Sequence, residues 1–151
     1  MWQTLFGLTN LVAVLAWALL LLGPRRPLAH STILYAGVGL LCLVYAACLI
    51  ALMGKLVDPV AIAGSAPFDP ADYNIEGLRR LFMSDGGIVT GWTHYLAFDL
   101  FVGLWIARDA DAKGVSRLVQ APILLLTFLA GPVGLLIWLG LRERRARAGA
   151  K

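Results

Sequence analysis

"GWTHYLAFDLFVGLWIARDA", residues 91–110, is apolar and aromatic enough to cross a membrane, yet it carries His94 near one end and Asp99 near its middle. A titratable side chain in hydrocarbon costs several kcal/mol, so such residues turn toward the protein interior and mark function by default. How the rest of the chain accommodates these two groups decides both the fold and the chemistry.

The 151 residues are 60% hydrophobic and 15% charged, whereas soluble domains are about 25% charged. That balance describes an integral membrane protein. The apolar runs are continuous rather than alternating, which favours helices over a β-barrel. At roughly 20 residues per span, the chain has room for about four helices and no separate soluble domain. The expected fold is therefore all-α, a four-helix transmembrane bundle formed by residues 1–151 as one domain. The spans fall at about 2–22, 32–53, 88–107 and 118–141, separated by "GPRRP", Gly54-Lys55 and "SDGG", with "GPVG" interrupting the last. The first run opens with no basic segment before it and exceeds a signal-peptide core, so it is read as a span. No Ser/Arg-rich transit peptide precedes it, and the expectation is a bacterial inner (cytoplasmic) membrane.

Roughly thirty residues separate the second and third spans, a length that is often functional. Within them "NIEGLRRLFM", 74–83, gathers Ile75, Leu78 and Leu81–Phe82 on one side, with Glu76, Arg79 and Arg80 elsewhere. This pattern predicts a short interfacial helix between helices 2 and 3, serving either as connector or as lid. The net charge of +4 sits mostly in the tail "RERRARAGAK". Arg142, Arg144, Arg145, Arg147 and Lys151 read as an anchor against anionic lipid, with the C-terminus cytoplasmic, and not as a nucleic-acid surface. Cys42 and Cys48 are separated by about 9 Å of helical rise, beyond disulfide reach. They are expected to be buried small hydrophobes, and their spacing fits no metal motif.

Aligning the spans at about 1.5 Å per residue puts His94 level with Thr9–Asn10, Tyr45 and Gly131–Pro132. Asp99 comes level with Thr127 and the run around Leu40. The scarce intramembrane polar groups thus form one band. Asp99 shares a helix face with Tyr95, and His94 shares another with Phe98, Phe101 and Trp105. His94 and Asp99 are about 140° apart around the helix, so they act together only if a substrate or a second helix bridges them. Pro132 cannot donate to the carbonyl of Phe128, so the last span should kink and free a backbone acceptor. Gly131 and Gly134 allow close approach there. His30 and His94 lie on the order of 20 Å apart along the normal, which argues against two haem ligands in one subunit. No phosphate loop, zinc motif or Ser-His-Asp set is present; the expectation is no cofactor and no metal.

Taken together, "LRRLF", "GWTHYLAFDLFVGLWIARDA" and "APILLLTFLAGPVGLLIWLGLR" resemble the abscisic acid-deficient 4 family over about residues 75–142. The pairing of W-x-H-x-L-x-x-D-L-F-V-G with a downstream G-P-x-G carries the likeness, while the first two spans match only as apolar runs. The resemblance implies a link to neoxanthin synthesis, the role of the plant member. That reaction is an isomerisation in which an epoxide opens to an alcohol and a neighbouring carbon loses a proton. It needs an acid, a base and an apolar groove, and no redox cofactor. Trp92, His94, Asp99 and Pro132 match the family pattern.

The expected function is intramembrane binding or isomerisation of a carotenoid-like isoprenoid. Asp99 and His94 would be the catalytic pair, and Trp92, Tyr95, Asn10, Tyr45, Thr127 and Pro132 the substrate-binding residues. Expected partners are a lipid-soluble small molecule and membrane lipid, with a homo-oligomer or larger membrane complex left open. The alternative is a non-enzymatic subunit of such a complex, in which Asp99 and His94 serve as interhelical hydrogen-bonding groups.

Overall fold

The computed structural model describes residues 1–65, 69 and 71–149, with side chains described as far as Glu143. These residues are helical apart from loops and one antiparallel bridge between Ala61 and Ser84. Five helices follow in order: α1 (Trp2–Leu22), α2 (Pro27–Met53), α3 (Ile75–Phe82), α4 (Asp85–Ala112) and α5 (Arg117–Gly149). Of these, α1, α2 and the Arg117–Glu143 part of α5 are long and apolar enough to cross a membrane.

The helix that carries the opening stretch is not among those three. With 28 residues α4 is long enough, but Asp85, Asp99 and the charged end Arg108–Asp111 lower its hydropathy. Its place in the molecule explains how that composition is tolerated. Every other helix packs against α4, and Thr93, Ala97, Leu100, Leu104 and Ala107 form a buried stripe at helical spacing along it. A methyl added at Gly103 would run into the Trp17 indole of α1. Lipid tails are as apolar as leucine, so close packing of this kind, not transfer from water, holds apolar helices together in a bilayer.

Helix boundaries differ from the sequence reading for local reasons. Ser84 caps α4 by accepting from the Gly87 N–H at 3.1 Å, so Asp85-Gly86-Gly87 become its first turn and not a stop before residue 88. Pro27 opens α2 five residues early, its fixed φ suiting a first helical position. Within α2 the turns Ile33–Gly39 widen to π geometry. Asn74 caps α3 by accepting from the Gly77 N–H at 2.8 Å, and Arg80 pairs with Asp72 at 2.7 Å.

Two expectations need correction. Cys42 is exposed while Cys48 is buried, and both are free thiols; only Cys48 packs as a small core residue. Arg142, expected to meet lipid head groups, instead donates through Nε to Asp109 at 2.8 Å. Asp109 also accepts from Lys113 at 2.6 Å and from Trp138 Nε1 at 3.1 Å, tying the end of α4 to α5. The rest of the basic tail, the Arg144, Arg145 and Arg147 side chains and Lys151, lies outside the described residues.

Candidate functional site: a cleft at the break in α5

Helix α5 breaks at Ala130, whose φ of −152° and ψ of 64° are non-helical. Pro132, two residues on, lacks the N–H that would bond back to Phe128, and its ring disfavours a helical carbonyl there. The break is sharper than the expected kink: Gly134 lies against the Thr127 backbone, and Gln120 before the break and Arg142 beyond it both reach the end of α4, so the chain turns back on itself at Ala130. Opposite the break, α1 and α4 flank a cleft of about 410 Å³. Its walls are Asn10, Ala13 and Val14 of α1, Trp92, Tyr95, Leu96 and Asp99 of α4, and Phe128 to Pro132 of α5. Val14, Tyr95 and Leu129 are exposed, so the cleft opens to the side of the molecule.

The wall is apolar, with a few placed polar groups, which is the usual make-up of a small-molecule site. Trp92 Nε1 donates to Asn10 Oδ1 at 3.1 Å, and Asn10 Nδ2 donates to the Phe6 carbonyl at 2.7 Å, so the amide fixes the indole across α1 and α4. The Asp99 carboxyl lies directly over Gly131. A side chain on Gly131 would overlap Asp99 Oδ1 and Cγ, so the absence of a Cβ is what lets the carboxyl reach the break. Among the described residues no hydrogen bond or ion pair to Asp99 is formed, and it is the one ionisable carboxyl in the cleft wall.

Of the eight residues singled out from sequence, Asn10, Trp92, Tyr95, Asp99 and Pro132 come together in this cleft. Three do not line it. His94 is exposed on another face of α4, its ring 4.6 Å from Phe98 and 5.5 Å from Tyr45. The offset of about 140° from Asp99 therefore separates the two groups, and neither α1 nor α5 bridges them. Tyr45 stays with His94 on that outer face. Thr127 is fully buried and donates to the Ile123 carbonyl at 2.8 Å, an ordinary back-bond within α5. Asp99 meets Gly131 and not Thr127, because register counted from a helix end does not survive a break in the helix.

The sequence reading missed Ala13, Val14, Leu96 and Leu129–Ala130. "GPVG" signalled the last of these; nothing in the α1 run distinguished two wall residues from their neighbours. Among the described residues, no group of three or more His, Cys, Asp or Glu lies close enough to hold a metal ion.

A family model described as ABA DEFICIENT 4-like matches residues 4–138. The chain belongs to that family. The ABA DEFICIENT 4-like match starts in α1 and ends at Trp138 of α5, so it spans every wall of the cleft, including the α1 segment that the sequence resemblance reached only as an apolar run. No curated protein and no solved structure matches the chain.

Proposed function

We propose that this ABA DEFICIENT 4-like protein binds a carotenoid-like isoprenoid in the cleft at the α5 break and isomerises it by proton transfer through Asp99. Here α4 lies within the membrane, sheltered by α1, α2 and the folded-back α5, and α3 lies at the membrane surface with Ile75 and Leu78 turned outward. The observation that carries the reading is an unpartnered carboxyl facing an apolar cleft that opens sideways, where a membrane-dissolved chain would enter between helices.

One carboxyl suffices for the chemistry. In an epoxide-opening isomerisation the C–O bond breaks, a proton joins the oxygen, and a neighbouring carbon releases a proton as the allene forms. Protonated Asp99 gives its proton to the oxygen, and the resulting carboxylate takes the one from carbon. The group ends as it began, and neither an oxidant nor a second base is consumed. His94 is not required, because it lies on the outer face with Tyr45. Trp92, held by Asn10, and Tyr95 would position the ring end-group at the mouth.

The test is the extractable isoprenoid profile of the native host after deletion of the gene and restoration with wild type, Asp99→Asn or His94→Gln. One species should accumulate on deletion, and wild type and His94→Gln should clear it while Asp99→Asn should not. An unchanged profile on deletion removes the isomerase reading and leaves a structural subunit. Failure of His94→Gln alongside Asp99→Asn would show that the single-carboxyl mechanism is wrong.

A further inference from the structure

By length and composition the Arg117–Glu143 part of α5 suits a membrane crossing, but it does not run from one end of the molecule to the other. From Arg117 to Leu129 it rises about 18 Å, short of the hydrocarbon thickness of about 30 Å, and past the break it returns. Both limbs close onto the same end of α4. Gln120 Nε2 donates to Asp111 Oδ1 at 2.7 Å on the way in, and Trp138 Nε1 and Arg142 Nε donate to Asp109 on the way out. The connection between α1 and α2 is at this end too. Arg25 Nη2 donates to Gln120 Oε1 at 3.1 Å, and Arg117 Nη2 donates to the Leu21 and Gly23 carbonyls.

The other long helices run the full distance. α1 lies beside α4 in the same direction, with Trp2 against Gly86, Phe6 near Trp92 and Trp17 against Gly103. α2 runs the opposite way, with Leu52 at Gly86 and Gly37 at Leu100. Trp2 Nε1 donates to the Asp58 carbonyl at 2.9 Å, and α3 leads into α4 at Ser84. The segment after α2 and α3 itself therefore lie at the end remote from Arg117.

This arrangement divides the charge. Arg25, Arg26, Arg108, Lys113, Arg117 and Arg142 share one end with Asp109, Asp111 and Glu143. Lys55, Arg79 and Arg80 share the other with Asp58, Asp69, Asp72, Glu76 and Asp85. Beyond Arg142 the sequence adds Arg144, Arg145, Arg147 and Lys151 in a stretch too short to cross back. All but Lys55, Arg79 and Arg80 of the 13 Lys and Arg residues then belong to one side. A full crossing by α5 would move Arg142 and the residues after it to the α3 end and erase that bias. Lys and Arg are retained on the cytoplasmic side of a membrane.

We propose that α5 is a re-entrant hairpin that enters and leaves the membrane at its cytoplasmic face, so that the Asp99 cleft opens into the opposite leaflet. The hairpin tip, Phe128 to Pro132, forms one wall of the cleft at the level of Asp99, while Asn10, Trp92 and Tyr95 lie on the α3 side of that level. Neither limb of α5 reaches past its tip to cover them. Non-helical backbone at such depth is tolerated where it lines a cavity, as Ala130 does. A long apolar molecule dissolved in the outer leaflet meets the cleft directly; one in the cytoplasmic leaflet meets the two limbs of the hairpin. The topology does not depend on the isomerase reading, although the identity of what enters does.

The test is thiol labelling of the full chain in a bacterial inner membrane. Cys42→Ala with Cys48→Ala gives the background, and Tyr73→Cys, Ser116→Cys and Ala150→Cys are added singly; Tyr73 and Ser116 are exposed. No substrate is present, so failure here is distinct from failure of the isomerase reading. A membrane-impermeant maleimide should label Tyr73→Cys in intact spheroplasts, and Ser116→Cys and Ala150→Cys only after permeabilisation. As a second measurement free of cysteine changes, green fluorescent protein fused after Lys151 should fluoresce, because it matures in the cytoplasm. Labelling of Ser116→Cys and Ala150→Cys from opposite sides would make α5 a crossing helix and overturn the proposal. Labelling of both from outside, or a dark fusion at normal protein level, would overturn the orientation and with it the leaflet assigned to the cleft.

Discussion

Asp99 and Asp109 are carboxyl groups on the same helix, ten residues apart, and their surroundings are opposite. Asp109 accepts from Lys113, Arg142 and Trp138 and draws α5 onto the end of α4. Asp99 has none of these and lies against a bare backbone at Gly131. A carboxyl saturated with donors is fixed in its ionised form and joins helices; one without donors in an apolar wall is free to meet whatever enters the cleft. The two positions show that polarity in an apolar helix has no single meaning. Partners decide whether it is mortar or site.

The sharpest way to break the comparison is to remove the titratable proton at Asp99. Asp99→Asn retains shape and leaves no donor stranded, so thermal unfolding should change little. Conversion of the accumulated isoprenoid should fall by about 10²–10⁴-fold, the usual contribution of a positioned acid–base group. A large loss of stability with conversion retained would reverse the roles assigned to the two carboxylates.

Next in size is the backbone beneath Asp99. Gly131→Val places a branched side chain where the Asp99 carboxyl lies, and overpacking of this kind costs about 1–3 kcal/mol. Unfolding in detergent should report that loss, and isoprenoid binding should weaken because the displaced carboxyl fills the cleft. Normal stability together with normal binding would mean that the carboxyl does not rest on Gly131.

Asp109 tests the other side of the contrast. Asp109→Ala leaves three donors without their acceptor and should cost about 1–3 kcal/mol of stability, with the isoprenoid profile unchanged. The acid sensitivity follows from its environment beyond the span. Burial pushes its pKa up, but the hydrogen bond and charge of Lys113, with Arg142 adding to them, outweigh burial and hold it below the usual carboxylate value. A depressed folded-state pKa means that the stabilisation is complete above the unfolded value of about 3.9 and is lost as pH falls through the folded value. The Tm gap between wild type and Asp109→Ala should therefore be wide at neutral pH and narrow below about pH 4. A gap independent of pH would show that packing, and not the ion pairs, is what Asp109 supplies.

The helical class, the order of elements and the interruption near "GPVG" were legible in the sequence because hydrophobic runs, Gly, Pro and charge act locally. Asp99 also stood out, since a carboxyl inside an apolar run is conspicuous whatever surrounds it. What could not be read was set by contacts between helices. The Ala130 break shifts which α5 residue faces Asp99, so counting depth paired it with Thr127 rather than Gly131. The offset of His94 from Asp99 and the face it shares with Phe98 were legible from helical periodicity; that it lies outside the cleft lined by Asp99 was not. Arg142 looked like an anchor because its neighbours in the chain are basic, while its partner Asp109 is 33 positions away. Arg25 and Gln120 met through the same kind of long-range closure, and no local pattern announced them.

The smallest expected effect lies at the rim of the cleft. Trp92 is exposed and its one described hydrogen bond, to Asn10 Oδ1, spans α1 and α4. Trp92→Phe keeps an aromatic ring beside Phe6, whose centroid is 6.2 Å away, and removes only the donor. A neutral bond of this kind contributes about 0.5–1.5 kcal/mol, and exposure puts this one at the low end, so Tm should fall slightly. Asn10 keeps its bond to the Phe6 carbonyl, which limits the loss further. If Trp92 positions substrate, isoprenoid binding should weaken by more than the stability change accounts for, while Asp99-dependent turnover of bound molecules stays intact. Equal small losses in both would place Trp92 with Asp109, as a residue that joins helices and nothing more.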